Sequence, residues 1–337
     1  MADAPLHKPA SKAWPEWLTG VILLAILAAV PLLAQTMGWG ATVSFLTRII
    51  ILAIAAASLN LILGYGGLVS FGHAAFYGVG GYVVGILYHH YASDAPLLGL
   101  IPGASDMAIT VPLAIVINAL LAVVLGAISL RTTGVQFIMI TLAFAQMLFF
   151  LFLSLKVYGG DDGLVVRRRN TLFGHDMRGD VIFYYFVLAI AAAWYAFCAR
   201  LVNSRFGRVL AGVRQSERRL AAIGIATYRY KLAAYVIAAM GAGLAGALMA
   251  NYARFVSPDM LHWIQSGDLM IMVILGGVGT LFGPAAGAFV LIALESVLAA
   301  WTEHWQLYLG PILVVIVLFW RGGLMGLLKK MTGGRIG

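Results

Sequence analysis

Charge is scarce in this sequence: Asp, Glu, Lys and Arg make up 10% of its 337 residues, against 62% hydrophobic ones. That leaves too little polar surface to cover a water-soluble globule of this size, so the solvent of most of the chain must be lipid. Cysteine is limited to Cys198, inside an apolar run, which excludes a disulfide framework and a thiolate metal cluster. No G-x-x-x-x-G-K-[ST] phosphate loop occurs, so any drive from ATP has to come from a partner. A serine nucleophile elbow is missing, as are His/Cys/Glu groupings at metal-ligand spacing, and the adjacent His89 and His90 point to different faces of a helix end. Nothing here predicts an enzyme, a cofactor or a metal site. The ten-residue alternating strands of a membrane β-barrel are absent too.

What the chain does have is a succession of apolar runs long enough to cross about 30 Å of hydrocarbon as helices. In lipid every backbone N–H and C=O must pair internally, which leaves helices as the reading of such runs. The sequence predicts an all-α polytopic membrane protein of about ten transmembrane segments, at roughly 18–37, 42–63, 68–90, 107–130, 132–155, 181–202, 232–252, 264–281, 283–302 and 306–320. The first run, from Leu18 to about Met37, is too long for a signal-peptide core and reads as a retained helix. Residues 1–17 and 321–337 then form short polar tails around a transmembrane domain at 18–320.

An even number of crossings puts both termini on one side. With that side cytoplasmic, 15 of the 22 Lys and Arg residues fall inside, among them Lys8, Lys12, Lys231, Arg321, Lys329, Lys330 and Arg335, in line with the excess of positive charge expected there. The net charge of +9 is accounted for in this way without nucleic acid. The exception is the external loop 156–180, where Arg167, Arg168 and Arg169 accompany Asp161, Asp162, Asp176 and Asp180. Mixed charge on an outer loop suggests a docking surface.

Glycine is the second organising feature, with 39 residues and two clusters inside apolar runs, at 61–82 and 274–287. Ile62-Leu63-Gly64 and Phe71-Gly72-His73-Ala74-Ala75 echo Ile274-Leu275-Gly276 and Phe282-Gly283-Pro284-Ala285-Ala286. Transporters are often built from internal repeats with broken helices along the substrate path, although glycine and alanine also simply let helices pack closely.

Ionisable residues at membrane depth are costly and are functional candidates by default. Arg48, near the outer end of its segment, can snorkel to the interface, and Asp268 sits where it can be hydrated. Glu295 lies deeper, so it either faces a water-filled path or pairs with a neighbouring helix. Asn60, Ser70, His73, Asn118, Gln136 and Gln146 are uncharged polar groups on apolar helices, suited to interhelical hydrogen bonds. Together with the glycine breaks, these patterns make Asn60, Ser70, Gly72, His73, Gly276, Gly277 and Glu295 the candidates for lining a translocation path.

The loop 203–231 carries the densest positive charge. Phe206, Val209, Leu210 and Val213 fall at i, i+3, i+4 and i+7 and form one apolar stripe beside Arg205, Arg208 and Arg214. Ser216 then precedes a second short helical run that ends at Gly224. The apolar faces need burial, either against the membrane surface or in a groove on a partner protein.

At these residues the chain resembles the inner-membrane permeases of ATP-binding-cassette importers for branched-chain amino acids, the LivM-type family. The resemblance covers approximately residues 45–325. It rests on Leu59-Asn60-Leu61 with Gly64-Tyr65-Gly66-Gly67-Leu68, the run Phe76–Tyr82, Gly159–Leu164, Phe206-Gly207-Arg208 through Gly224, and Leu275–Pro284. Residues Glu217 to Gly224 look like that family's cytoplasmic coupling motif, departing from its Glu-Ala-Ala form because Arg218 and Arg219 follow the glutamate.

The resemblance implies a bacterial inner-membrane subunit with both termini cytoplasmic. Its partners would be a homologous second permease of the LivH type, two ATP-binding subunits and a periplasmic substrate-binding protein. Arg208, Arg214, Glu217, Arg218, Arg219 and Gly224 would meet the ATPases, and Asp161, Asp162, Gly163 and Arg167 to Arg169 would lie where the binding protein docks. Branched-chain or other amino acids are the implied cargo, with urea or small carboxylates as alternatives. An ion-coupled carrier using Glu295 or Asp268 is the competing class.

Overall fold

A computed structural model describes residues 16–37, 40–96, 102–319 and 322–326. Among them the helices run in the order α1 (Glu16–Met37), α2 (Gly40–Asn60), α3 (His73–Ala92), α4 (Met107–Ser129), α5 (Val135–Ser154), α6 (Asp180–Asn203), α7 (Arg205–Ala222), α8 (Thr227–Ala253), α9 (Trp263–Gly276), α10 (Gly283–Trp301) and α11 (Trp305–Phe319). Six of the described helices are long and apolar enough to cross a membrane: α2 with its extension to Tyr65, α4, α5, α6, α8 and α10. Three shorter apolar stretches, Gly20–Ala34, Trp263–Gly276 and Trp305–Ile316, join them. The difference from about ten segments has two local causes: α9 stops at the glycine break after 14 residues, at Gly276, and α3, although 20 residues long, is made less apolar by its four Gly, four Tyr and three His residues. The basic residues Lys8, Lys12, Arg321, Lys329, Lys330 and Arg335 lie outside the described residues.

The core is built on α2, α3 and α8. From Ile49 to Gly64 every residue is buried, including Ile51, Ile54 and Leu59, which have no exposed surface. α3 crosses α8 closely because both carry small residues at the contact. A Cβ on Gly80 would run into the Gly243 carbonyl, and one on Gly246 into the Tyr77 carbonyl. Where no hydrophobic force separates protein from solvent, such backbone proximity is what holds helices together. The outward faces of α4 and α5 are apolar instead of charged, with Leu120 65% and Phe150 60% exposed, the pattern of a lipid-facing surface.

α6 has 24 residues and so spans about 36 Å, separating the 156–180 segment at one end from α7 at the other. The segment is an ordered cap. Its strand β1 (Leu164–Val165) pairs antiparallel with β2 (Phe255–Val256) beyond the end of α8. The Asn170 amide nitrogens donate to the side-chain oxygens of Asn251 and Thr110, fixing the cap to α8 and α4.

Candidate functional site

Two helix breaks meet at the α7 end of the bundle. In the first, α2 winds into a π-helical turn at Leu61–Tyr65, and the chain then runs non-helically through Gly67, at φ +69°, until α3 starts at His73. In the second, α9 ends at Gly276, and the chain passes Gly277 and Gly279, at φ +122° and +79°, before α10 starts at Gly283. Both backbones need the left-handed region, which is why glycine stands there. The two echoing sequence stretches therefore adopt the same order of helix end, loop and helix start.

Asn60 ties the breaks together. Its Nδ2 donates to the Thr280 carbonyl and its Oδ1 accepts from the Gly279 N–H, each at 2.9 Å. One buried amide thus satisfies both a carbonyl and an N–H that the unwound α9–α10 loop leaves unpaired. A Cβ on Gly64 would collide with this Asn60 oxygen and with the Gly279 backbone, so the loops touch main chain to main chain.

Into this junction reaches Arg214 from α7, whose Nη1 donates to the Gly64 carbonyl. Its stem passes over Gly67, where a Cβ would lie 2.9 Å from the Arg214 Cγ, and its guanidinium passes Gly279, where a Cβ would lie 3.2 Å from Nη1. Arg214 therefore contacts both broken loops at once.

α7 is two helices joined at Ser216, whose φ of −164° and ψ of 102° are extended. Ser204 caps the first through Phe206 N, Ser216 accepts from Arg219 N to cap the second, and Gly224, at φ +84°, closes it. Ser216 and Gly224 hold the positions read for them from the sequence, and Ser204 adds a cap not read there. The apolar stripe does not behave as either expectation had it. Leu210 and Val213 are buried within the chain's own bundle, and a Cβ on Gly66 would lie 3.4 Å from Leu210, so neither lipid nor a partner groove is needed to cover them.

Glu217 also turns inward. Its Oε1 lies 2.6 Å from the Lys231 Nζ and accepts from the Thr227 hydroxyl at 3.0 Å, fastening α7 to the start of α8. Partial burial alone would raise the carboxyl's pKa, but the bonds and charge from Lys231 and the bond from Thr227 outweigh it and hold the pKa below the ordinary value. Exposed on α7 and its end are Arg205, Arg208, Gln215, Arg218, Arg219, Ala221, Ala222, Ile223 and Gly224, and Arg214 too keeps much of its surface open while its guanidinium reaches the junction.

The other path candidates divide. Ser70 and His73 are fully buried at the entry to α3. There the Ser70 hydroxyl accepts from Gly72 N, while Ser266 of α9 accepts from Ala74 N and donates to the Phe71 carbonyl at 2.7 Å. The His73 ring stands edge-on to Phe76, and neither of its nitrogens makes a hydrogen bond of good geometry. Gly276 packs against the Gly283 backbone, with no room for a side chain. Glu295 lies apart from this junction, on α10, 3.3 Å from Arg48 of α2. Arg48 thus has an ion-pair partner on a neighbouring helix.

At the opposite end, Asp161, Asp162, Arg167 and Arg168 are exposed, whereas Arg169 is buried. Arg169 binds Asp180 at 2.6 Å, donates to the Arg178 carbonyl and lies 4.7 Å over the Phe183 ring. It holds the cap onto α6. Gly163, at φ +73°, packs on Val256 and Phe255 where the two strands meet. Sequence reading missed Lys231 and Arg48 as ion-pair partners and Ser266 as the cap of α3. Their partners lie 14, 247 and 192 residues away, the last being Ala74, and no local pattern joins them.

Residues 41–319 match the protein family described as "Branched-chain amino acid transport system / permease component". The chain is 27% identical over 329 residues to the high-affinity branched-chain amino acid transport system permease protein LivM of Escherichia coli K12, covering 89% of this chain and 72% of that one. It is 28% identical over 327 residues to the protein of the same name from Salmonella typhimurium, with the same coverage. A probable branched-chain amino acid transport permease protein LivM of Methanocaldococcus jannaschii is 25% identical over 289 residues, 76% of this chain and 81% of that one. No solved structure matches.

Proposed function

The chain belongs to the branched-chain amino acid transport system permease family, and on that footing we propose that it forms half of the membrane path of an ATP-driven importer of branched-chain amino acids, moved through α7 by separate ATPase subunits. It is a transport subunit and not an enzyme. The observation that carries the coupling is Arg214, which joins α7 to both glycine-broken loops. A push on the first half of α7 is passed to these loops through Arg214, while Glu217 and Lys231 fasten the second half, beyond the Ser216 joint, to α8. The loops, joined by Asn60, then move as one body against the rest of the bundle.

In this reading α7 and both termini face the cytoplasm of the bacterial inner membrane, and the 156–180 cap faces outward. α3, α9, α11 and α1 complete the crossings to about ten. Arg208, Arg218, Arg219 and Ile223 offer the exposed surface to the ATPases. Asp161, Asp162, Arg167 and Arg168 meet a periplasmic binding protein, and a homologous second permease supplies the other half of the path. Asn60, Ser70, Gly72 and His73 line that path near its inner end, beside Gly276 and Gly277.

The experiment is reconstitution of this chain with a LivH-type second permease, ATPase subunits and a substrate-binding protein. Leucine uptake into proteoliposomes that requires both ATP and the binding protein is expected. Uptake by this chain alone, driven by a proton gradient and indifferent to ATP, would place it among ion-coupled carriers instead.

A further inference from the structure

Arg48, Glu295 and Asp268 belong to three helices that pack on one another, α2, α10 and α9. Arg48 Nη2 lies 3.3 Å from Glu295 Oε1, and Asp268 stands on α9, the helix packed against both, near enough for the Glu295 charge to reach it. Their depth follows from the helices. Arg48 stands twelve residues before Asn60 and Glu295 twelve after Gly283, about 18 Å along each axis from the junction of the broken loops. Asp268 stands eight residues before Gly276, about 12 Å from it. The cluster is therefore about half a hydrocarbon thickness above the junction.

Charged groups at that depth face the bundle interior or a water-filled cavity and mark substrate or ion pathways. The guanidinium has five N–H donors. Among the described residues it uses one of them, in a single contact with one oxygen of Glu295. Glu295 meets the guanidinium through Oε1 alone. The side chains of Arg48 and Glu295 keep 41% and 26% of their surface open. The charges do not cancel either, since one cation faces two carboxylates.

Open donors beside surplus acceptors, with one negative charge in excess, match a molecule that carries a carboxylate and an ammonium a few bonds apart. We infer that Arg48, Glu295 and Asp268 form a transit site for a zwitterionic α-amino acid, in which Arg48 receives the carboxylate and Glu295 and Asp268 receive the ammonium. The Arg48–Glu295 contact closes the site when no cargo is present. It gives way on arrival, so that the guanidinium exchanges one carboxylate for another at little net cost. This rests on the transport reading above and adds to it where, and by which charges, the cargo is held between the two ends.

The test removes the charges without leaving either one unpaired. The double variant Arg48→Met, Glu295→Gln and the single variant Asp268→Asn are assembled with the partner subunits in proteoliposomes. Binding-protein-stimulated ATP hydrolysis and leucine uptake are then measured together. Removing both members of a purely structural pair is close to neutral, so such a pair predicts unchanged uptake. A transit site predicts hydrolysis within about twofold of the parent and uptake lowered tenfold or more in the double variant, with several-fold loss in Asp268→Asn. If the double variant fails to accumulate in the membrane, Asp268→Asn, which breaks no ion pair, decides alone. Parental uptake in Asp268→Asn and in any double variant that assembles overturns the site while leaving the transport reading intact. A parent complex that takes up no leucine with ATP overturns both.

Discussion

Lys231, buried at the start of α8, holds Glu217 of α7 at 2.6 Å, so the helix that carries the exposed arginines is clamped to the bundle by a charge pair on its inner side. Replacing Glu217 with Ala leaves an ammonium in a largely closed site. A fully buried pair broken in this way costs about 3–5 kcal/mol, and because Glu217 is more than a third exposed the discounted expectation is about 1–3 kcal/mol. Thermal unfolding of the purified complex measures it, and protease cleavage between 203 and 231 should rise in parallel.

The same pair sets a pH dependence. The Glu217 pKa is depressed in the folded protein, so the unfolded chain binds the proton more readily, and stability from this group is complete above its ordinary value of 4.5. It is lost as pH falls from there through the lower folded value. Melting of the parent should therefore decline more steeply below about pH 4.5 than that of Glu217→Gln, and the two curves should run parallel near neutrality.

Glycines divide by what surrounds them. Gly67→Ala forces a side chain into the left-handed region and against the Arg214 stem, at a cost of about 1–2 kcal/mol for the backbone alone. Gly267 lies on α9 with nothing within 4 Å of an added Cβ, so Gly267→Ala should be neutral or gain up to about 1 kcal/mol of helix stability. Melting temperatures of the two variants in detergent compare them directly. Equal shifts would remove the claim that the first glycine is required by the junction.

Much of this architecture was legible in one dimension, and the limits are physical. Caps read well because Ser216 and Gly224 act on backbone within a few residues. The apolar periodicity of Phe206 to Val213 told which face is buried, but amphipathicity carries no information on what buries it, and the answer was the chain's own π-helical turn. The glycine clusters marked the breaks without revealing that Asn60 and Arg214 bind them together, because those contacts span 219 and 150 residues. Arg167 to Arg169 looked alike as a run, yet local packing buried the third on Asp180.

That division of the arginine run is itself testable. Arg167→Glu with Arg168→Glu should weaken binding-protein-stimulated uptake severalfold at low salt, with a smaller difference at high salt, because exposed charges act mainly on encounter. Arg169→Ala should instead lower the melting temperature, since it strips Asp180 of its partner and the cap of its anchor. Uptake kinetics at two ionic strengths and thermal unfolding separate the two effects.

At the other end, Arg218→Glu with Arg219→Glu changes exposed side chains, so stability should stay within about 0.5 kcal/mol. Retention of the ATPase subunits on the purified permease should fall. Undiminished co-purification would move the ATPase contact elsewhere on α7.

The central claim is that Arg214 carries motion from α7 to the two broken loops, and the most direct measurement is the ratio of leucine taken up to ATP hydrolysed in reconstituted complexes bearing Arg214→Ala or Arg214→Lys. The account predicts that Arg214→Ala hydrolyses ATP at close to the parental rate while uptake falls tenfold or more, and that Arg214→Lys, which keeps a donor for the Gly64 carbonyl, recovers part of the ratio. An unchanged ratio in Arg214→Ala, with uptake and hydrolysis rising or falling together, would contradict it.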